Sequence, residues 1–205
     1  MSCMPLLATA VSLAGHKSLS AGKYEGKSFQ ERMEDRFPAF ADKRSKKIIF
    51  VAHCLINQNA RCNGSGNFPS SVPLIPAYLL ANQIGIAQMP CPELGCLGLG
   101  REGLIYDQLS TVGARRYLRQ IAEDMAYQIE QYRKHGFRVT AILGVDCSPS
   151  CGVNCHAYNG AQPGKGAFME ELAEVLAERG LEIPLIGVSD ENPQEALERI
   201  QALDS

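Results

Sequence analysis

Ile48-Ile49-Phe50-Val51-Ala52 is a short run of β-branched, aromatic and small apolar residues, with Cys54 two positions beyond its end. An almost wholly apolar run of this length reads as a strand buried on both faces, the pattern of a parallel sheet covered by helices. Downstream, Pro73 to Gln83 reads as a short helix and Ile84 to Met89 as a second strand. Val112 to His135 is a long helix, with Leu118, Ile121, Met125, Ile129 and Tyr132 at helical spacing and Gly136 at its C-terminal stop. Val139 to Val145 is a third strand, Phe168 to Arg179 a helix stopped by Gly180, Ile183 to Val188 a fourth strand, and Pro193 to Leu203 the last helix. Strands alternating with helices imply right-handed crossovers. The expected fold is α/β and Rossmann-like: a three-layer parallel sheet of about four strands with helices on both faces.

The 205-residue chain, 45% hydrophobic and 20% charged, has enough apolar material for one good core. Its net charge of −2 supplies no field that would steer it to nucleic acid or a membrane surface. Residues 47–205 are therefore expected to form a single domain. Residues 1–46 read as a weakly structured or peripheral extension, mixing the apolar run Met4 to Ala14 with a Gly/Ser/Lys stretch and a charged segment. The apolar run has no Lys or Arg before it and is too short to span a bilayer, so the expected location is the cytoplasm. Met33 is a candidate alternative translation start, which mass spectrometry of the native N-terminus would reject by finding residues before it.

Eight cysteines are too few for a disulfide scaffold, and in a reducing compartment they are expected to remain thiols for metal binding or catalysis. Cys54, Cys91, Cys147 and Cys151 each fall just after a predicted strand. In open parallel sheets the ligand site lies at the carboxyl ends of the strands, so these thiols are expected to share a site. Buried structural thiols are the plainer reading for Cys3 and for some of Cys62, Cys96 and Cys155. The chain has no C-x-x-C pair and no C-x₅-R phosphatase loop, and Cys147, Cys151 and Cys155 are one residue off the C-x₃-C-x₂-C loop of radical enzymes. Closed zinc sites and iron–sulfur clusters both remain open on spacing alone. Beside the thiols, Glu93 and the hydroxyls of Ser148 and Ser150 are the groups able to place or deprotonate a water. The glycines at 95, 98 and 100 offer close backbone approach to a ligand. Phe68, Tyr78 and Tyr106 are aromatic candidates for stacking on a base.

Three loops in this order resemble the thiouracil desulfidase family. The carrying residues are Cys54, Leu55, Arg61 and Gly64; Cys91, Pro92, Glu93, Gly95 and Arg101; Ser148 through Gly152 (SPSCG); and Gly164 with Gly166 before a helix. The resemblance spans roughly residues 47–181. It implies a [4Fe-4S] cluster held by Cys54, Cys91 and Cys151, with one iron open. It also implies non-redox exchange of a thiocarbonyl sulfur for oxygen, Glu93 as acid/base, and Ser148 or Ser150 placing substrate or water. Asn57, Cys62, Asn63 and Cys96 depart from the family pattern where substrate would sit. The expected substrate is accordingly a small thiolated compound, such as a thiolated nucleobase, in a divergent branch. Two other readings stand beside it. One is a non-enzymatic iron–sulfur or zinc protein, with Cys62, Cys96, Cys147 or Cys155 as a fourth ligand and His53 and His156 nearby. The other is a cluster-free enzyme with Cys151 as a nucleophile of lowered pKa.

Overall fold

The computed structural model describes residues 40–204 together with Gly26 and Ser28. The chain divides into two units, Met1–Ala41 and Asp42–Ser205, and the regular structure of the described residues belongs to the second. The Met4 to Ala14 run, Met33 and Cys3 lie outside the described residues, as does most of the expected extension.

In chain order the strands of the described residues are β1 (Lys47–Val51), β2 (Gly85–Gln88), β3 (Arg138–Val145), β4 (Cys155–Ala157), β5 (Ala161–Pro163) and β6 (Leu185–Val188). Four of them form a central parallel sheet in the order β2-β1-β3-β6. β1 pairs in parallel with β2 on one side and β3 on the other, and β3 pairs with β6. β1 and β3 are buried almost end to end, which is why their sequences carry apolar residues at successive rather than alternate positions. The Val112–Lys134 and Ala167–Glu178 helices pack together on one face, and the Leu74–Ala81 and Pro193–Asp204 helices on the other. This is the three-layer arrangement that the alternation of patterns implies. No helix among the described residues is long and apolar enough to cross a membrane.

Local chemistry sets the boundaries. The long helix starts where the Thr111 hydroxyl accepts the Ala114 amide at 3.3 Å. It buries Leu118, Ile121, Met125 and Ile129, and the chain turns at Gly136 with φ of 76°. The fourth expected strand is two residues shorter than read, because Pro184 offers only its carbonyl, which accepts from Ile142 at 2.9 Å. Among the features that escape the pattern reading are the four-residue helix His53–Ile56, the helix Pro92–Leu97, the short 3-10 turns Gln58–Ala60 and Tyr106–Leu109, and the antiparallel hairpin of β4 and β5.

The topology also positions the site. From β1 the chain goes to β2 on one side and returns to β3 on the other, so the strand order reverses between β1 and β3. Loops leaving these strands diverge there and open a crevice at their carboxyl ends. Hydrogen bonds hold the strand ends level: Met89 N–H donates to Val51 at 2.8 Å, Ala52 N–H to Leu143 at 2.9 Å, and Asp146 N–H to Val188 at 3.0 Å.

Ile142, fully buried in β3, and Val112, 88% exposed, give opposite expectations for truncation. Ile142→Ala is expected to cost about 2–5 kcal/mol and Val112→Ala to stay within about 0.5 kcal/mol. Urea denaturation checks both, and equal effects would contradict the layering.

Candidate functional site

Three thiols reach one cavity of about 590 Å³ at the carboxyl ends of β1, β2 and β3. Cys54 sits in the His53–Ile56 helix directly after β1, where the Gln58 side chain donates to its carbonyl at 2.8 Å. Cys91 follows β2 and caps the Pro92–Leu97 helix, its sulfur accepting the Leu94 amide at 3.4 Å. Cys151 follows β3 in a tightly held loop. Val145 N–H donates to the Cys151 carbonyl at 2.9 Å, and the first amides of the Ala167–Glu178 helix donate to Pro149 and Ser150. Gly166 permits that seating, since a Cβ there would lie 2.6 Å from the Ser150 carbonyl.

Glu93 and Ser150 join the thiols through hydrogen bonds. Ser150 Oγ donates to Glu93 Oε1 at 2.7 Å and stands 3.6 Å from Cys151 Sγ. Arg101 Nε donates to the other carboxylate oxygen at 3.2 Å, while its Nη2 reaches the Ala60 carbonyl at 3.0 Å. Glu93 lies in the first turn of its helix, so it also faces the helix dipole favourably. The Ser148 hydroxyl points back into its own loop, accepting the amides of Ser150 at 3.3 Å and Cys151 at 3.0 Å. That bonding makes Ser148 a brace for the loop, while its side chain still borders the cavity.

Beside Cys54, Arg61 is paired with Asp190. Its Nη2 donates to Oδ1 at 3.0 Å and Nη1 to Oδ2, and Asn67 donates to the same carboxylate at 2.8 Å. Asp190 and Asn67 carry no motif, and only the position of Asp190 just past the fourth predicted strand points toward the site.

Burial raises the pKa of all three thiols. For Cys54 desolvation dominates, opposed by the Arg61 guanidinium beside it. For Cys91 desolvation again leads, opposed by the Leu94 amide. Cys151 is raised furthest, by desolvation and then by Cys54 and Cys91 as neighbouring thiolates. The expectation of a Cys151 of lowered pKa is therefore corrected. The helix amides that would have activated it donate to loop carbonyls instead.

Other expectations change as well. Cys147 and Cys155 form a disulfide, with Cα atoms 4.8 Å apart, so these two do not remain thiols. The β4–β5 hairpin brings Cys155 back to the loop, where its carbonyl accepts Cys147 N–H at 2.9 Å. Cys62 lines the cavity 3.3 Å from the Ser65 hydroxyl, whereas Cys96 lies outside the lining. His53 faces Asn57 at 3.1 Å and Gln88 at 2.8 Å, and the His156 ring packs at a 41° tilt against Tyr106, with centroids 4.5 Å apart. Phe68, Tyr78 and Tyr106 are absent from the lining; the Tyr106 hydroxyl is held by Glu170 and Arg115, each at 2.5 Å. Gly95 makes room for the Tyr117 hydroxyl rather than for a ligand, and Gly98 takes the left-handed turn, φ 82°, that ends its helix.

Among the described residues no three His, Cys, Asp or Glu side chains are grouped to hold a single metal ion. Cys54, Cys91 and Cys151 line one shared cavity. Three thiolates at Cys54, Cys91 and Cys151 would fit an iron–sulfur group, which is ligated by thiolates at its metal atoms. Its cationic irons would offset the cost of ionising three buried thiols.

No protein-family model matches the chain. The "Uncharacterized protein MJ0003" of Methanocaldococcus jannaschii is 30% identical over 110 residues, covering 54% of this chain and 70% of that protein. Among solved structures, the "[4Fe-4S]-dependent thiouracil desulfidase TudS" has a TM-score of 0.46 and 20% identity, with 76% of this chain and 99% of that chain covered.

The raised thiols predict how the metal-free chain responds to pH. A neutral buried thiol contributes stability that is fully present below the unfolded thiol pKa and is lost as pH rises through the raised folded value. Its urea midpoint is expected to fall as pH climbs past the ordinary thiol range, and to fall less in Cys151→Ser. A midpoint independent of pH in that range, or an unchanged slope in the variant, would contradict the burial.

Proposed function

The chain belongs to the family of the uncharacterized archaeal protein MJ0003, and we propose that it is an iron–sulfur desulfidase that removes sulfur from a small thiolated compound as sulfide. The observation that carries this reading is the convergence of Cys54, Cys91 and Cys151 on one cavity, with the Glu93–Ser150 pair hydrogen-bonded beside them. The three thiolates would hold a [4Fe-4S] cluster. When bound, the cluster supplies a soft Lewis-acid iron that prefers sulfur to oxygen.

The protein residues supply the rest. Arg101 fixes one oxygen of Glu93, so the other is aimed at Ser150 and can take a proton passed through that hydroxyl from a water in the cavity. Ser148 keeps Ser150 and Cys151 in register by accepting both amides. Arg61, oriented by its ion pair with Asp190, borders the same space beside Cys54. With three thiols, two arginine side chains and several acceptors, the lining suits a small polar heterocycle; a thiolated nucleobase is the representative substrate. The cluster chemistry that the sequence resemblance implies agrees with these roles.

Anaerobic chain reconstituted with iron and sulfide is the material for the test, with thiolated pyrimidines as substrates and no added reductant. Sulfide and the oxo product are expected in equal amounts. Glu93→Gln and Ser150→Ala are expected to keep their iron and to lose about 10²–10⁴-fold in rate. An iron-loaded chain that releases no sulfide from any thiolated heterocycle, or that needs a reductant to do so, would overturn the reading.

A further inference from the structure

The Cys147–Cys155 disulfide stands at the same cavity and is left without a role by the proposed reaction. It is placed unevenly. Cys147 is exposed and lines the cavity with Cys54, Cys91 and Cys151, whereas Cys155 is part-buried at the start of β4 and outside the lining. One of the two bonded residues therefore borders the space where sulfide would be released, and the other lies outside it. Exposed disulfides are the labile and chemically active ones.

Hydrogen bonds brace the loop alongside this bond. Cys147 N–H donates to the Cys155 carbonyl at 2.9 Å, and Gly152 N–H to Ser148 at 3.2 Å. Asp146 closes the loop from beneath, its carboxylate accepting the amides of Val153 at 3.2 Å and Asn154 at 2.9 Å, and the Asn154 side chain at 2.8 Å. These hydrogen bonds hold the two ends together, so the disulfide can open while Cys151 stays where it is.

We propose that the Cys147–Cys155 disulfide is an acceptor site for hydrosulfide, converting it to a persulfide on Cys147. This assignment takes its source of sulfide from the desulfidase reading. Hydrosulfide attacks Cys147 Sγ, forming a sulfur–sulfur bond as the Cys147–Cys155 bond breaks. The electron pair of the broken bond leaves with Cys155 as a thiolate, and the proton of hydrosulfide stays on the terminal sulfur. The incoming sulfur is oxidised and the Cys155 sulfur reduced, so the disulfide itself is the oxidant and nothing else is required. Attack by Cys155 on the Cys147 inner sulfur reverses the step, restoring the disulfide and hydrosulfide. The persulfide is thus a holding state whose population follows the hydrosulfide concentration.

Full-length chain purified without reductant is treated anaerobically with sodium hydrosulfide, quenched with iodoacetamide, and mapped by peptide mass spectrometry. Before sulfide is added, neither Cys147 nor Cys155 is expected to be alkylated. Afterwards Cys147 is expected to carry the alkyl group through one additional sulfur atom, and Cys155 to carry it directly, in matching amounts that rise with hydrosulfide. Cys62 and Cys96, as thiols with no bond to break, are expected to gain no sulfur. Cys155→Ser, with its fold checked by circular dichroism, is expected to abolish sulfur retention on Cys147. Alkylation of both residues before sulfide is added would overturn the proposal. So would additional sulfur on Cys155, equal labelling of Cys62 or Cys96, or none at all. No thiolated substrate enters this experiment. A chain that passes here and fails to release sulfide from substrates loses the desulfidase reading alone, and the converse result removes only the acceptor.

Discussion

Val51 and Leu143 are register partners in the parallel pairing of β1 with β3, and one residue further on Ala52 N–H donates to the Leu143 carbonyl at 2.9 Å. On the other side Met89 N–H closes the β2 end onto Val51 at 2.8 Å. These last rungs bring three chain segments out of the sheet at one level. Each reaches a cysteine within a few residues, too short a path for the loops to wander. The site is a consequence of parallel strand order more than of any one loop: the reversal between β1 and β3 opens the crevice, and the thiols are already at its rim.

Energetics then restrict what the crevice can hold. Three thiols in a largely buried setting resist ionisation, and each thiolate formed makes the next harder. Glu93 sits among them with both oxygens committed, one to Arg101 and one to Ser150. A group that brings positive charge and binds thiolate relieves that cost and locks the loops together, coupling its own binding to their order. The Arg61–Asp190 pair beside Cys54 follows the same balance of charge, since the carboxylate that orients the arginine also neutralises it.

The architecture, and the placement of three cysteines just past the strand ends, were legible because they lie on strong signals. Apolar runs such as Ile48 to Ala52 and Val139 to Val145 declare buried parallel strands, and Cys54, Cys91 and Cys151 sit at short distances from the strand ends. Partnerships across the fold were not legible. Gly95 looks like a ligand-approach glycine until Tyr117 is found packed against it, and Tyr106 looks like a stacking residue until Glu170 and Arg115 take its hydroxyl. Asp190 lies 129 residues from Arg61, and nothing local announces the pair. The three-residue strands of the hairpin are too short for periodicity to detect, so the return of Cys155 to Cys147 was hidden as well.

The central claim is that three thiolates, and no fourth, hold one polynuclear cluster. Iron and acid-labile sulfide per chain, measured on anaerobically reconstituted protein and on single Cys→Ala variants, test it most directly. About four irons per chain are predicted in the parent and in Cys62→Ala and Cys96→Ala, with the cluster lost in Cys54→Ala, Cys91→Ala and Cys151→Ala. Zinc in place of iron, or a cluster that survives loss of any one of Cys54, Cys91 and Cys151, would contradict it.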